Sequence, residues 1–398
     1  MSTCLQSQNL YEYQLGQGAK KIEIPFEYEN NLIVVNVVFN GIFPLRFVFD
    51  TGAEHTVLTR KEITDLLLIN YQRKFTLYGA DLSTKLTAYI AAGISMELGK
   101  LKLDNKTILV LDEDYFNYDE FNGVDVHGII GADIFRRFVV QINYNRRTIT
   151  LFPFNKFKLP HKSFEEFPVE IHRGKPYVWA PISSPSDSII NAKLLMDTGS
   201  GIPLILYPKT LETISIPENV IPAKLGLGLG GYLEGVIGRV KAVEVGKLEF
   251  RNIVTSFQNL APGTDSIYIN FRNGIIGNQS LKHFHIIIDY VNYRLYLRPV
   301  NRRRPPKFKY DRSGLFLVAG GRNINQFKVA SVVPGSPADK AGLKEGDDIK
   351  KINGLPCATM SLSTLNRKFT KRVGKRFKIV FRRNGVRKKA QFTLRDII

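Results

Sequence analysis

The stretch Phe47-Val48-Phe49-Asp50-Thr51-Gly52-Ala53 returns 147 residues later as Leu194-Leu195-Met196-Asp197-Thr198-Gly199-Ser200. Each apolar run reads as a strand, and each is followed after a short interval by another, Val57-Leu58 and Leu204-Ile205-Leu206. The setting is therefore the same twice: strand, carboxylate on a sharp turn, strand. With ordinary residue usage, one Asp-Thr-Gly arises by chance in about one chain in ten of this length. Two in matched settings point to an internal duplication.

Working outward from the two turns, the spacing stays nearly constant, which is the test of a repeat. Gly99 and Gly246 are again 147 apart, while Gly131 and Gly277, like Tyr144 and Tyr290, are 146 apart. Local strings agree: LGKLKL answers VGKLEF, and GIIGAD answers GIIGNQ. Upstream of Asp50, the residues Ile22, Ile24 and Phe26 alternate, Leu32 to Val38 is a continuous apolar run, and Asn40-Gly41 is a tight-turn signal. The reading is two β-rich lobes, residues 22–156 and 157–300, after a loose N-terminal segment 1–21. The connector is placed between Pro153 and Pro168, where three prolines fall.

A single Asp on a turn is ordinarily satisfied by its own backbone. Two related by duplication can meet across a pseudo-twofold axis, where like charges about 3 Å apart share one proton. That is an acid and a base in one site. The chain here resembles the aspartic peptidases, the retroviral-protease-like (retropepsin and pepsin-type) group in particular. Asp-Thr-Gly-Ala or Asp-Thr-Gly-Ser is followed in that group by two apolar residues and a glycine, here Ile129-Ile130-Gly131 and Ile275-Ile276-Gly277. The resemblance implies a mainly β, bilobal fold on a single chain, and hydrolysis of polypeptide substrates by a water held between Asp50 and Asp197, with no cofactor, metal or covalent intermediate. It further implies that Thr51 and Thr198 bond to the opposite loop and that Gly52 and Gly199 allow close approach. Ser200 is expected to favour the ionised form of Asp197 through its hydroxyl. Flap glycines map to Gly79 and to Gly228 through Gly230 and Gly231.

Arg302-Arg303-Arg304-Pro305-Pro306-Lys307 marks a basic, proline-rich break, so 301–309 reads as a linker. Residues 310–398 resemble a PDZ domain, an α+β unit, through PGSPADKAGLKEGDDIKKING at 334–354. The resemblance implies that C-terminal peptides dock with their carboxylate on the N–H groups of Gly314, Leu315 and Phe316, beside a pocket shaped by Leu362 and Leu365. Residues 301–398 hold 25 of the 56 basic side chains and 6 of the 36 acidic ones, a net +19, against +1 for the first 300. That charge suits an acidic partner or an anionic membrane surface. No nucleic-acid motif accompanies it.

The composition, 44% hydrophobic and 23% charged, is that of an ordinary globular chain. Two cysteines, Cys4 and Cys357, build neither a disulfide framework nor a metal site. His283 and His285 alternate in a strand-like run and read as a solvated pair rather than ligands. No apolar run reaches the roughly 18 to 20 residues of a membrane span, and the first residues lack the features of a signal peptide. As written, the chain reads as a cytoplasmic monomer; with a start further upstream, Ser2-Thr3-Cys4 reads as the remnant of an export or lipidation signal. The functional expectation is an aspartic endopeptidase whose PDZ domain recruits or gates substrates. The alternative is a silent scaffold that uses both modules to hold peptides.

Overall fold

A computed structural model of the chain describes residues 20–78, 85–183, 188–211, 213–228, 231–258, 271–301, 303 and 306–398. The molecule is mainly β. In the first half, eight strands run side by side in the order Glu27–Glu29, Leu32–Phe39, Phe43–Phe49, Gly128–Ile130, Val57–Leu58, Leu101–Leu111, Lys85–Leu98 and Tyr71–Tyr78. The sheet closes on itself where Val38 pairs with Glu97. The second half repeats the order with Glu170–His172, Lys175–Ser183, Ile189–Asp197, Gly274–Gly277, Leu204–Leu206, Leu248–Gln258, Gly231–Val245 and Ile221–Gly228. It closes where Ile182 pairs with Val243.

Turn chemistry sets these hairpins. Asn40 and Gly41 both take positive φ, +48° and +68°, in a three-residue loop between the paired Phe39 and Phe43, closed by the Ile42 N–H on the Phe39 carbonyl at 3.1 Å. Gly99 and Gly246, the equivalent positions of the repeat, both turn at positive φ, between Leu98 and Leu101 and between Val245 and Leu248.

A third sheet joins the halves. Its order is Ile22–Pro25, Thr148–Pro153, Phe138–Asn143, Phe284–Asp289, Arg294–Pro299 and Glu165–Phe167, three strands from each half. At its centre Val140 lies opposite Ile288 and Ile142 opposite Ile286, antiparallel. One continuous apolar core, including Phe49, Phe135, Phe257 and Ile286, runs through both halves. The expected connector is not wholly a connector, because Glu165–Phe167 is the sixth strand of this sheet. Three residues set among prolines are too few for an alternating pattern to register.

The third unit is a sheet of Leu315–Gly320, Gln326–Val332, Asp348–Ile352, Arg376–Arg383 and Val386–Thr393, with helices Pro337–Lys340 and Leu362–Phe369. Ser336 caps the first helix by accepting from the Asp339 N–H. Leu362, Leu365 and Phe369 share one buried helical face, as their spacing requires. The segment before this unit is anchored. Phe308 is buried with its ring centroid 5.6 Å from that of Phe250, so the break read as a linker ends in a docked aromatic. Tyr310 lies 5.1 Å from both the Arg239 and Arg312 guanidinium carbons, and its hydroxyl donates to Asp396 at 3.0 Å.

Candidate active site

Asp50 follows the strand Phe43–Phe49, and Asp197 ends the strand Ile189–Asp197. Each of these strands runs parallel to the Gly-Ile-Ile strand of its own half. The two turns meet on the pseudo-twofold axis and are cross-bonded. Thr51 Oγ1 donates to the Met196 carbonyl at 2.7 Å and accepts from Thr198 N–H at 3.1 Å. Reciprocally, Thr198 Oγ1 donates to the Phe49 carbonyl at 2.7 Å and accepts from Thr51 N–H at 3.0 Å. Both threonines are buried. With each neutral hydrogen bond contributing about 1 kcal/mol net, the four together hold the turns in register by a few kcal/mol.

The glycines permit contact between the carboxylates. A Cβ on Gly52 would lie 2.7 Å from the Asp197 carboxyl carbon, and one on Gly199 would press into the Asp50 carboxyl. Each carboxylate is held by its own turn. Gly52 N–H donates to Asp50 Oδ1 at 2.6 Å, while Gly199 N–H at 2.8 Å and Ser200 N–H at 3.1 Å donate to Asp197 Oδ1. The donor from Ser200 is its backbone N–H, where the sequence suggested its hydroxyl. Burial, the facing Asp197 charge and a hydrogen bond to the Asp197 side chain push the Asp50 carboxyl well above the usual range. Carboxyl groups this close share a proton as a pair.

The pair opens into a cavity of about 730 Å³. Its first-half wall sets Leu109, Leu111, Phe116, Tyr118 and Ile129 beside the polar Asn30, Asn31, Glu54, His55 and Asn122. Tyr118 stacks on Phe116 with centroids 5.3 Å apart. Burial, then the fields of Asp50 and Asp197, hold its phenol protonated. The second-half wall carries Lys175, Tyr207, Gln258 and Arg272. These residues escaped sequence reasoning, although the repeat itself held the signal in positions whose chemistry differs between the copies. Of the flap glycines, Gly79 and Gly230 lie outside the described residues, and Gly231 pairs with Gly228 at the end of a hairpin.

The third unit also reaches this cavity, through Gly314, Leu315, Phe316, Ser331 and Val333. Two of the N–H groups expected to receive a peptide carboxylate are engaged within the chain. Gly314 N–H donates to Asp311 Oδ1 at 3.0 Å and Leu315 N–H to Ser313 Oγ at 3.1 Å. Burial pushes the Asp311 carboxyl up to about 6 against these donors. Leu362 and Leu365 are part of the core of this unit rather than of an open pocket. The helix Tyr118–Phe121 of the first half packs against the strand Leu315–Gly320, so one short element touches both the carboxylate cavity and the third unit.

Compared with known proteins, residues 35–134 match the family model described as aspartyl protease, and residues 328–383 match that of the PDZ domain. No curated protein matches the chain.

Proposed function

We propose that this chain, which carries an aspartyl protease domain and a PDZ domain, is an endopeptidase that hydrolyses peptide bonds between Asp50 and Asp197. The observation that carries the reading is the geometry of the pair: two carboxyl groups in contact, locked by reciprocal threonine bonds and open to one cavity. In this reading Asp50 carries the shared proton, in keeping with the upward push of burial on its carboxyl. It donates to the scissile carbonyl oxygen and polarises it. Asp197, which accepts the Gly199 and Ser200 N–H groups, takes a proton from a water placed between the two. The water oxygen attacks the carbonyl carbon, and collapse of the tetrahedral intermediate returns a proton to the leaving amine. Gly314, Leu315, Phe316, Ser331 and Val333 then act as a movable wall, so that the PDZ domain gates the substrates that reach the cleft.

Asp50→Asn and Asp197→Asn, each assayed on an unfolded protein, test the reading. Each is expected to lower kcat at least a thousandfold, and a statine-type inhibitor is expected to block the unsubstituted protein. Activity that survives either substitution removes the pair from the mechanism. Peptide binding without cleavage in the unsubstituted protein makes the chain a scaffold instead.

A further inference from the structure

The two walls of the cleft descend from one repeat, so strand register pairs their positions. Val34 lies opposite Val48 and Tyr177 opposite Leu195, which makes Leu32 the counterpart of Lys175. Phe47 pairs with Gly128 and Leu194 with Gly274, which makes Val126 the counterpart of Arg272. Strands Leu101–Leu111 and Leu248–Gln258 have equal length, so Leu111 answers to Gln258. In the first half all three positions are apolar and buried in one cluster. In the second they are two cations and an amide, and all three line the cavity.

The polar set faces the cavity with few partners in the chain itself. Among the described residues, Lys175 Nζ has no hydrogen-bond or ion-pair partner, and neither has the amide of Gln258, which is only 5% exposed. Arg272 stacks over the Tyr207 ring at 5.6 Å and reaches its hydroxyl only at 3.5 Å. Burial, then the neighbouring Arg272, lowers the affinity of the Lys175 amine for its proton, and Glu54 and Asp50 act in the opposite sense. Glu54 is itself engaged, at 2.7 Å from Arg173 Nε. Two half-buried cations and a free amide facing one cavity form a receptor for an anion with planar oxygen acceptors.

We propose that Lys175, Arg272 and Gln258 form a subsite that binds a substrate carboxylate, so that the cleft selects peptides with an acidic side chain or a free carboxy terminus on its second-half side. The inference rests on the endopeptidase reading for its peptide ligand. The +19 charge of residues 301–398 draws the same acidic peptides toward the molecule.

The experiment uses the full chain and peptide sets that differ only by Glu or Gln at successive positions, each with a free or amidated terminus. Glutamate at one position, or the free terminus, is expected to raise kcat/KM roughly tenfold or more, a size ordinary for a charge-assisted hydrogen bond. Lys175→Met and Arg272→Met bring the ratio toward one, and Lys175→Glu turns the preference toward lysine. Lys247→Met, at a solvated lysine paired with Glu165, leaves the ratio as it was. Equal use of Glu and Gln peptides and of both termini, or a preference that persists in both Met variants, overturns the proposal. Anisotropy of labelled Glu and Gln peptides on the Asp197→Asn protein reads the subsite without cleavage. If the unsubstituted protein cleaves nothing, the endopeptidase reading fails, and the binding ratio alone decides the subsite.

Discussion

At the scale of single residues, Asp50 carries a cost of the site. Its folded carboxyl titrates well above the usual range because it is buried beside Asp197. Below the ordinary carboxylate pKa, near 4, folded and unfolded chains both hold the proton and stability is fully present. As pH rises, the unfolded chain releases a proton that the folded chain keeps, so stability falls until the folded pKa is passed. Asparagine cannot ionise. Asp50→Asn is therefore expected to melt at a higher temperature than the unsubstituted protein at pH 7, with the gap closing toward pH 3.5. Calorimetry across that range checks it, and a gap independent of pH contradicts it. Another asymmetry sits nearby. Tyr144 donates to Asn278 Oδ1 at 2.6 Å, but the counterpart of Asn278 in the first half is Ala132, and the buried hydroxyl of Tyr290 has no hydrogen-bond partner among the described residues.

At the scale of elements, the six-stranded sheet between the halves holds them together. Ile288 is 1% exposed and faces Val140 across the central pair. Ile288→Ala is expected to cost about 2–5 kcal/mol. Because the core is continuous across that pair, both halves are expected to unfold together, in one calorimetric transition at a lower Tm; two separated transitions would mean that the halves are independent. Much of this level was legible in the sequence. Asn40-Gly41, Gly99, Gly246 and Asn384-Gly385 each turn where local chemistry leaves little choice, and all take positive φ. What was not legible depends on partners far along the chain. Glu165–Phe167 becomes a strand only because Leu295–Leu297 offers an edge to it. The amides of Gly314 and Leu315 looked free until Asp311 and Ser313 folded back on them. Lys175 and Arg272 are ordinary basic residues in the sequence, and become informative only when register aligns them with Leu32 and Val126.

At the scale of the whole molecule, the third unit is docked rather than tethered. Phe308 packs on Phe250 and His283, with centroids at 5.6 and 6.3 Å. Arg312 pairs with Asp396 at 2.6 Å, and Tyr310 accepts the Ile397 N–H at 2.8 Å. Phe308→Ala removes the aromatic anchor while leaving both folded units intact. Cleavage by an added protease within residues 301–306 is expected to rise roughly tenfold, because local opening controls access to that segment. An unchanged rate would show that Tyr310 and the last residues hold the unit by themselves.

The shared six-stranded sheet also sets a timetable. Phe138–Asn143 finds its neighbour Phe284–Asp289 only after almost 150 further residues have been synthesised. Until then a growing chain carries an apolar strand edge with nothing beside it, and such distant pairings close slowly. The ribosome must pass residue 289 before that edge is covered.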